Sequence, residues 1–513
     1  MHPRIAEAFA TLPSYLGGHV AVSVTALVLG LAISLPLALV SMRHAGLRRV
    51  LLGFASIVQT IPSLALLALF YPLLLGIAAI FERVFGAGFS ALGFLPSVLA
   101  LTLYSMLPVL RNTIAGLQGV DPAINEAALG VGMTRRQSLF LVELPLALPV
   151  IMAGIRTASV WVIGAATLST PIGQTSLGNY IFTGLQTQNW VFVLFGCVAA
   201  AIFALLVDQL LALMENGLTK RKRSWVVAGG AGLLFIAAAA LAPSVSQTRA
   251  AYVIGAKPFA EQYVLAALIR QRLGEAGFTA TTRDGLGSSV IFNALGANEI
   301  DVYVDYSGTI WTNQMQRSDI KPRADVLKDT SAWLAGKNIK LLGGLGFENS
   351  YALALSRRRA DALGIRTLAD LASHAPNLTI AGDYEFFGRP EWKAISGSYG
   401  LSFREQKTMQ PEFMYEAAAG GSVDVIAGYT SDGRITQFNL AVLEDPKHVI
   451  PPYDAIVLLS PRRANDEALM QALRPLIDGI DVNLMREANQ HAANGSPAEA
   501  ARGLSSEIEK KRR

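Results

Sequence analysis

Four tyrosines and two cations in the second half of the chain have the residue types and settings to hold a small organic ion. Tyr306 lies in VDYSGT, Tyr351 in ENSYALAL, Tyr429 in AGYTSDGR and Tyr453 in PPYD, while Lys257 lies in GAKPFAEQ and Arg389 in EFFGRPEW. An aromatic face attracts a quaternary ammonium through its ring quadrupole, at roughly 0.5–2 kcal/mol per desolvated contact. Four such faces can hold a cation without any carboxylate. Lys257 and Arg389 suit the opposite end of a zwitterion, and a planar guanidinium can grip a carboxylate through two parallel bonds. A single tyrosine is more often a packing residue than a cage wall, so the elements that present these six decide the matter.

From Tyr252 onward strands and helices alternate. A strand at Tyr252–Ile254 precedes a helix from about Pro258 to Leu273, and a strand near 278–283 precedes a helix at 288–296 and a strand at Asp301–Val304. A second set follows: a strand near 351–355, a strand at Leu378–Ala381, helices at Pro390–Tyr399 and 411–419, and a strand at Val423–Ala427. This alternation predicts parallel sheets covered by helices. About 260 residues suit two lobes better than one small sheet, and ligands of such sheets bind where loops leave the C-terminal strand ends. The chain is expected to cross between lobes near 345–350 and 450–456, giving one lobe of about 251–345 and 455–513 and another of about 346–454. Two lobes joined this way close on a ligand by hinge motion.

The first half is different in kind. The whole chain is 52% hydrophobic and only 16% charged, against roughly 25% charged for an average soluble protein, and the apolar excess is concentrated before about residue 242. Apolar stretches of about 20 residues span the ~30 Å hydrocarbon layer as helices. Spans are expected near 20–41, 52–75, 92–110, 147–170, 191–213 and 225–242, with segment 76–90 as an interfacial turn carrying Glu82 and Arg83. Basic residues follow the first span (Arg43, His44, Arg48, Arg49), the third (Arg111) and the fifth (Lys220, Arg221, Lys222, Arg223). If these face the cytoplasm, the six spans alternate without conflict. The N-terminus and everything after residue 243 then lie outside. Basic residues at span ends are topology signals, so the net charge of +5 gives no reason to expect a nucleic-acid partner. The motif KRKR, an apolar run and Ala240-Leu241-Ala242 resemble a cleavable secretory signal. Pro243 disfavours cleavage, and a retained tether is expected.

One polar stretch, Glu126–Pro145 (EAALGVGMTRRQSLFLVELP), interrupts the apolar half and falls on the cytoplasmic side. Asp121 and Pro122 supply an N-cap acceptor and a proline at the first helical position. The helix should stop at Gly132, a residue that tolerates the left-handed conformation. Thr134 and Gln137 are spaced as a capping box for a second helix. Small alanines let another backbone approach, and Glu126 offers a charge. The stretch is a candidate docking surface for a soluble partner.

Other chemistry is absent from the sequence. Cys197 is the only cysteine, and the six histidines show no HExxH spacing, which excludes a disulfide framework and offers no metal set or other cofactor site. No GxxxxGK[ST] occurs, so a phosphate-cradling loop must come from another chain. No nucleophile–base pair emerges, and the chain is expected not to be an enzyme.

Two resemblances follow from these motifs. EAA, three residues, Gly, nine residues, an aliphatic residue, any residue, then Leu-Pro is similar to the cytoplasmic signature of permease subunits of ABC importers. Glu126, Ala127, Ala128, Gly132, Val142, Leu144 and Pro145 match it, with valine where isoleucine is common. The resemblance implies that the loop enters a groove on a separate ATPase subunit and couples its closure to the spans. It also implies a type I permease that pairs as a homodimer with two ATPase copies. GAKPFAEQ, DVYVDYSGT and the tyrosine positions resemble the binding proteins of glycine betaine, choline and carnitine importers. That resemblance implies a cage of Tyr306, Tyr351, Tyr429 and Tyr453, with Lys257, Thr309 and Arg389 taking a carboxylate. Two positions depart from it: the common EYTGT is Asp305-Tyr306-Ser307-Gly308-Thr309 here, and an aspartate of some members is Asn349. The amide weakens the pull on a bare cation and favours a zwitterion.

The sequence therefore predicts a multi-domain chain: an all-α polytopic membrane domain (1–223), a sixth span and linker (224–250), and a bilobed α/β domain of the type II periplasmic-binding-protein kind (251–513). The expected function is import of quaternary-ammonium solutes across a bacterial inner membrane, the receptor lying outside. Fused relatives that import ergothioneine, a histidine betaine, fit the same description. A membrane sensor would need a cytoplasmic signalling domain, and a ligand-gated channel would not need the docking signature.

Overall fold

The computed structural model describes residues 3–85, 89–186, 189–245, 251–317, 319, 321–383 and 386–512. The chain divides into two compact units, Met1–Phe182 with Val191–Thr248, and Thr183–Trp190 with Arg249–Arg513. Residues 86–88 and 246–250, which belong to the expected interfacial turn and linker, lie outside the described residues.

The first unit is built from α1 (Pro3–Ser41), α2 (Ala45–Thr60), α3 (Ser63–Phe85), α4 (Phe94–Gln118), α5 (Pro122–Gly130), α6 (Arg135–Ser138), α7 (Leu144–Ala166), α8 (Gly178–Gln186), α9 (Trp190–Thr219) and α10 (Arg223–Val245). Among the described residues six helices are long and apolar enough to cross a membrane. α4 is the hub, buried along most of its length, against α1, α2 and α7. Gly30 lets α1 close on it, since a Cβ there would lie 1.8 Å from the Ser105 hydroxyl oxygen. Small residues at such crossings replace the hydrophobic driving force that lipid does not supply. Arg156 of α7 binds Asp208 of α9 through Nε and Nη2 at 2.8 and 2.9 Å, and Glu215 through Nη1 at 2.9 Å. Charges inside apolar helices persist when they pair in this way.

Two expectations about the spans need correction. The second span does not run over 52–75. Pro62 lacks an N–H and disfavours helix at the residue before it; Ile61 is extended at φ −74° and ψ 126°, so amphipathic α2 ends and the apolar helix is Ser63–Phe85. The Ile61 carbonyl released at this break accepts the Tyr104 hydroxyl of α4, which meets the demand for internal satisfaction. Segment 76–90 is not a turn throughout, because α3 continues through Glu82 and Arg83 to Phe85.

Among its described residues the second unit holds ten strands in two sheets: β1 (Tyr252–Gly255), β2 (Ala280–Arg283), β3 (Val302–Tyr306), β4 (Lys340–Glu348), β5 (Tyr351–Ser356), β6 (Thr379–Gly382), β7 (Glu405–Thr408), β8 (Val425–Tyr429), β9 (Leu440–Val442) and β10 (Asp454–Leu459). Their orders are β2-β1-β3-β10-β4 and β7-β6-β8-β5-β9. The sheets are mixed, not parallel as expected: β1 pairs parallel with β2 and β3, yet β10 runs antiparallel to β3 and β4. The second sheet repeats the pattern, β6 parallel to β7 and β8, and β5 antiparallel to β8 and β9. The reason is the crossing itself. The chain leaves the first sheet after Glu348, enters the second at Tyr351 and returns at Asp454, and the two strands that receive the crossings, β5 and β10, are the ones reversed relative to the βα units.

Candidate ligand-binding site and coupling arm

The β-strand ends deliver the polar loops. β1 runs into Lys257 and Phe259, and α11 (Ala260–Glu275) follows at once. β3 ends on Tyr306, with Thr309 one helical turn on, and Tyr453 directly precedes β10, which pairs Ala455 with Tyr306. Tyr351 and Tyr429 are cross-strand partners in β5 and β8, the arrangement that brings same-face side chains into contact. Asn349 sits in the crossing, its N–H donating to the Tyr453 carbonyl at 3.0 Å. Arg389 directly precedes the helix Pro390–Tyr399. Lys257, Tyr306, Thr309, Asn349, Tyr351, Arg389, Tyr429 and Tyr453 all line one cavity of about 290 Å³ within this unit.

The rings are arranged as walls around a hollow. Tyr351 lies 4.9 Å from Tyr429 and 6.0 Å from Tyr453, the latter edge-on at 84°, and Phe259 stacks beside Tyr306 at 6.2 Å. Burial holds the phenols of Tyr306, Tyr429 and Tyr453 well above 10. They stay neutral, and their O–H groups donate to Glu261, Asp383 and Glu391 respectively.

Each cation is paired within the protein. Lys257 forms an ion pair with Asp305, which also accepts the Tyr303 hydroxyl at 2.5 Å. The Lys257 Nζ lies 5.3 Å from the Tyr306 ring centre. Arg389 meets Glu391 through Nε at 3.1 Å and Nη2 at 2.9 Å, and its guanidinium sits 5.0 Å from the Tyr351 ring centre. Burial opposes ionisation of Glu391, but the Arg389 guanidinium outweighs it and holds the carboxyl below its ordinary range. Arg434 does the same for partly buried Asp432 at the cavity edge. The three cations that line the cavity, Lys257, Arg389 and Arg434, are thus each paired with a carboxylate.

Sequence reasoning missed Glu261 and Asn489, both cavity residues. Glu261 is 4% exposed, and it accepts four donors: Tyr306 Oη at 2.5 Å, Ser431 Oγ at 2.5 Å, Asn349 Nδ2 at 3.0 Å and Asn489 Nδ2 at 3.1 Å. Burial pushes its carboxyl upward while those donors pull it down, with a net rise. The signal was in the motif GAKPFAEQ: a charged residue in the first turn of a helix whose neighbours Tyr263, Val264 and Leu265 are all apolar and buried. Asn489 gave no signal, being one asparagine in an amphipathic C-terminal helix, Val482–Asn494.

The polar stretch of the first unit forms the two expected helices. Asp121 Oδ1 accepts the Ala123 N–H at 2.9 Å, and Thr134 and Gln137 make both bonds of the capping box at 2.8 and 3.3 Å. α5 ends at Gly130, and Gly132 adopts φ +89°. Glu126 and Ala127 are exposed, Ala128 is buried, and Ile124, Leu129 and Val131 expose apolar surface around them. α6 does not stop before the span. A π-helical turn at Leu139–Glu143 joins it to α7, whose first residues are Leu144 and Pro145. Pro145 has no N–H for the usual bond four residues back, which favours the widened turn. The Ser138 hydroxyl donates to Glu143, five residues on, at 3.2 Å.

A bundle of apolar helices with a solvent-facing helical arm, followed by a two-sheet α/β unit with an aromatic cavity, defines a permease that carries its own solute receptor. Residues 26–223 match the family described as binding-protein-dependent transport system inner membrane component. Residues 250–504 match the substrate-binding domain of ABC-type glycine betaine transport systems. The chain belongs to the family of inner-membrane components of binding-protein-dependent transport systems, with the receptor fused in the same chain. It is 40% identical over 205 residues to the glycine betaine/carnitine/choline transport system permease protein OpuCB of Bacillus subtilis (strain 168), covering 40% of this chain and 87% of the relative. It is 29% identical over 459 residues to the ergothioneine transport permease/ergothioneine binding protein EgtU of Helicobacter pylori (strain G27), covering 86% of this chain and 79% of the relative. A crystal structure of a glycine betaine/carnitine/choline ABC transporter is 27% identical, covering 49% of this chain and 97% of that chain, with a TM-score of 0.45.

Proposed function

We propose that the chain is the permease and receptor of an ATP-driven importer for quaternary-ammonium compatible solutes such as glycine betaine, choline or carnitine. The observation that carries this reading is the convergence of four tyrosines on one cavity whose lining cations are already paired. A trimethylammonium head gains from aromatic faces without needing a countercharge, and a carboxylate tail can share the N–H donors of Arg389 and Lys257. Residues 251–513 form the receptor, with lobes of about 251–345 plus 455–513 and 346–454, and residues 1–223 form the pore-lining part.

In this reading the receptor lies outside a bacterial cytoplasmic (inner) membrane. The arm Glu126–Pro145 lies inside, and two copies of the chain assemble with two copies of a separate ATPase. Glu126, Ala127, Ala128, Gly132, Leu144 and Pro145 dock on that subunit. The continuous helix from α6 into α7 then transmits its closure. A second reading, import of another betaine such as ergothioneine, is supported by the relative that aligns along both parts of the chain.

The test is calorimetric titration of the detergent-solubilised full chain with glycine betaine, proline betaine, choline, carnitine and ergothioneine. Saturable binding of at least one is expected. Heat from none of them would defeat the cage assignment.

A further inference from the structure

The Glu261 network leaves two hydrogen-bond acceptors stranded. Asn349 and Asn489 each give an amide N–H to the Glu261 carboxyl, at 3.0 and 3.1 Å, and Asn489 Nδ2 also donates to the Ser431 carbonyl at 2.9 Å. A carboxylate offers only acceptors, so the network itself fixes which end of each amide faces it. The Oδ1 atoms are turned away from Glu261, and both are buried without a hydrogen-bond partner among the described residues. Asn349 is 8% exposed and Asn489 9%. An unsatisfied buried acceptor is costly, and a pair on residues lining the same cavity is a place where a ligand supplies what the protein withholds.

We propose that Asn349 and Asn489, held in orientation by Glu261, form an acceptor subsite that selects ligands carrying an N–H or O–H group in addition to the cationic head. This rests on the proposed function, and it divides the ligand class. Glycine betaine, proline betaine and γ-butyrobetaine have no hydrogen-bond donor. Choline and carnitine have one hydroxyl, and a histidine-derived betaine has ring N–H. A site built around a hydrogen bond rejects the analogue that lacks it, because its own polar groups are then left unpaired. The tyrosine faces treat every trimethylammonium head alike, so discrimination within the class comes from polar groups of the cavity, and these two amides supply its unpaired acceptors. Lys257, Asp305, Arg389 and Glu391 are engaged with one another and do not compete for the donor.

The test uses the full chain in detergent and matched pairs: choline against propyltrimethylammonium, carnitine against γ-butyrobetaine, and ring-unsubstituted histidine betaine against its ring N-methylated form, a neutral imidazole that lacks ring N–H. In at least one pair the donor-bearing member should bind about tenfold or more tightly. Asn489→Ala and, separately, Asn349→Ala should shrink that ratio toward one by weakening the donor-bearing member more than the donor-free member. The donor-free ligand doubles as the control for folding, since a purely structural role would weaken both members together. Equal affinities within every pair, or a ratio unchanged in both variants, would overturn the subsite and leave the functional reading standing. Absence of binding by every trimethylammonium compound would overturn both.

Discussion

Arg389 sets the terms at the scale of the residue. A buried guanidinium without a partner costs several kcal/mol, and Glu391, two residues along, meets it before any ligand arrives. A ligand carboxylate therefore adds to a balanced pair, and the larger part of the binding energy should come from the rings. Replacing Tyr306 or Tyr429 with alanine should weaken binding of the best trimethylammonium ligand by about 1–2 kcal/mol. Titration calorimetry that finds the affinity unchanged would place that ring outside the site. Glu261 makes a second prediction through pH. Its carboxyl is raised above its ordinary 4.5 by burial, the donors from Ser431, Tyr306, Asn489 and Asn349 opposing. A raised folded value means that the folded state holds the proton more tightly, so this stability is full below about 4.5 and lost as pH climbs through the raised value. The melting temperature of Glu261→Gln minus that of the parent should rise as pH goes from about 4.5 to 7. A difference constant with pH would mean that the group titrates normally, whatever its offset from altered hydrogen bonding. The cavity tyrosines could be picked out in the sequence because they recur in the loops at the expected strand ends. Glu261 was hidden by its helix and Asn489 by distance, since the contact joins residues 228 apart.

Elements were legible where local chemistry determines them and obscure where tertiary pairing does. The Thr134–Gln137 box and the α5 cap needed only neighbouring residues. β4 (KLLGGLGFE) contains glycines that weaken a strand on propensity, and only pairing with β10 makes it one. β9, three residues long, depends wholly on β5. The same contrast locates the weak point of the coupling arm. Gly132 at φ +89° has open space where a side chain would sit, so packing would tolerate valine and only the backbone would resist. A left-handed residue with a branched side chain costs about 1–2 kcal/mol, enough to re-aim α6 relative to α5. Gly132→Val should leave ligand affinity unchanged and lower ATP-driven uptake in proteoliposomes containing the partner ATPase by about tenfold. Full uptake would show that the turn is not needed in this form.

At the scale of the molecule the hydropathy split separated membrane helices from the α/β unit, whereas the second span was misdrawn because a run of apolar residues does not reveal which proline breaks it. The two compact units have separate cores, so binding and coupling should be separable by mutation. Glu126 is the residue for this test. It is exposed and has no ion pair among the described residues, so removing its side chain should change stability by no more than about 0.5 kcal/mol. An incoming ATPase would meet its charge on the first turn and a half of α5, flanked by the exposed apolar side chains of Ile124 and Leu129. Glu126→Ala should therefore leave the melting temperature and ligand affinity as they are, and abolish the stimulation of ATP hydrolysis by ligand in the assembled complex. If stimulation persists at the parental level with the complex intact, the signal does not pass through this arm. If the complex fails to assemble while ligand binding is retained, Glu126 acts in docking itself and not in transmission.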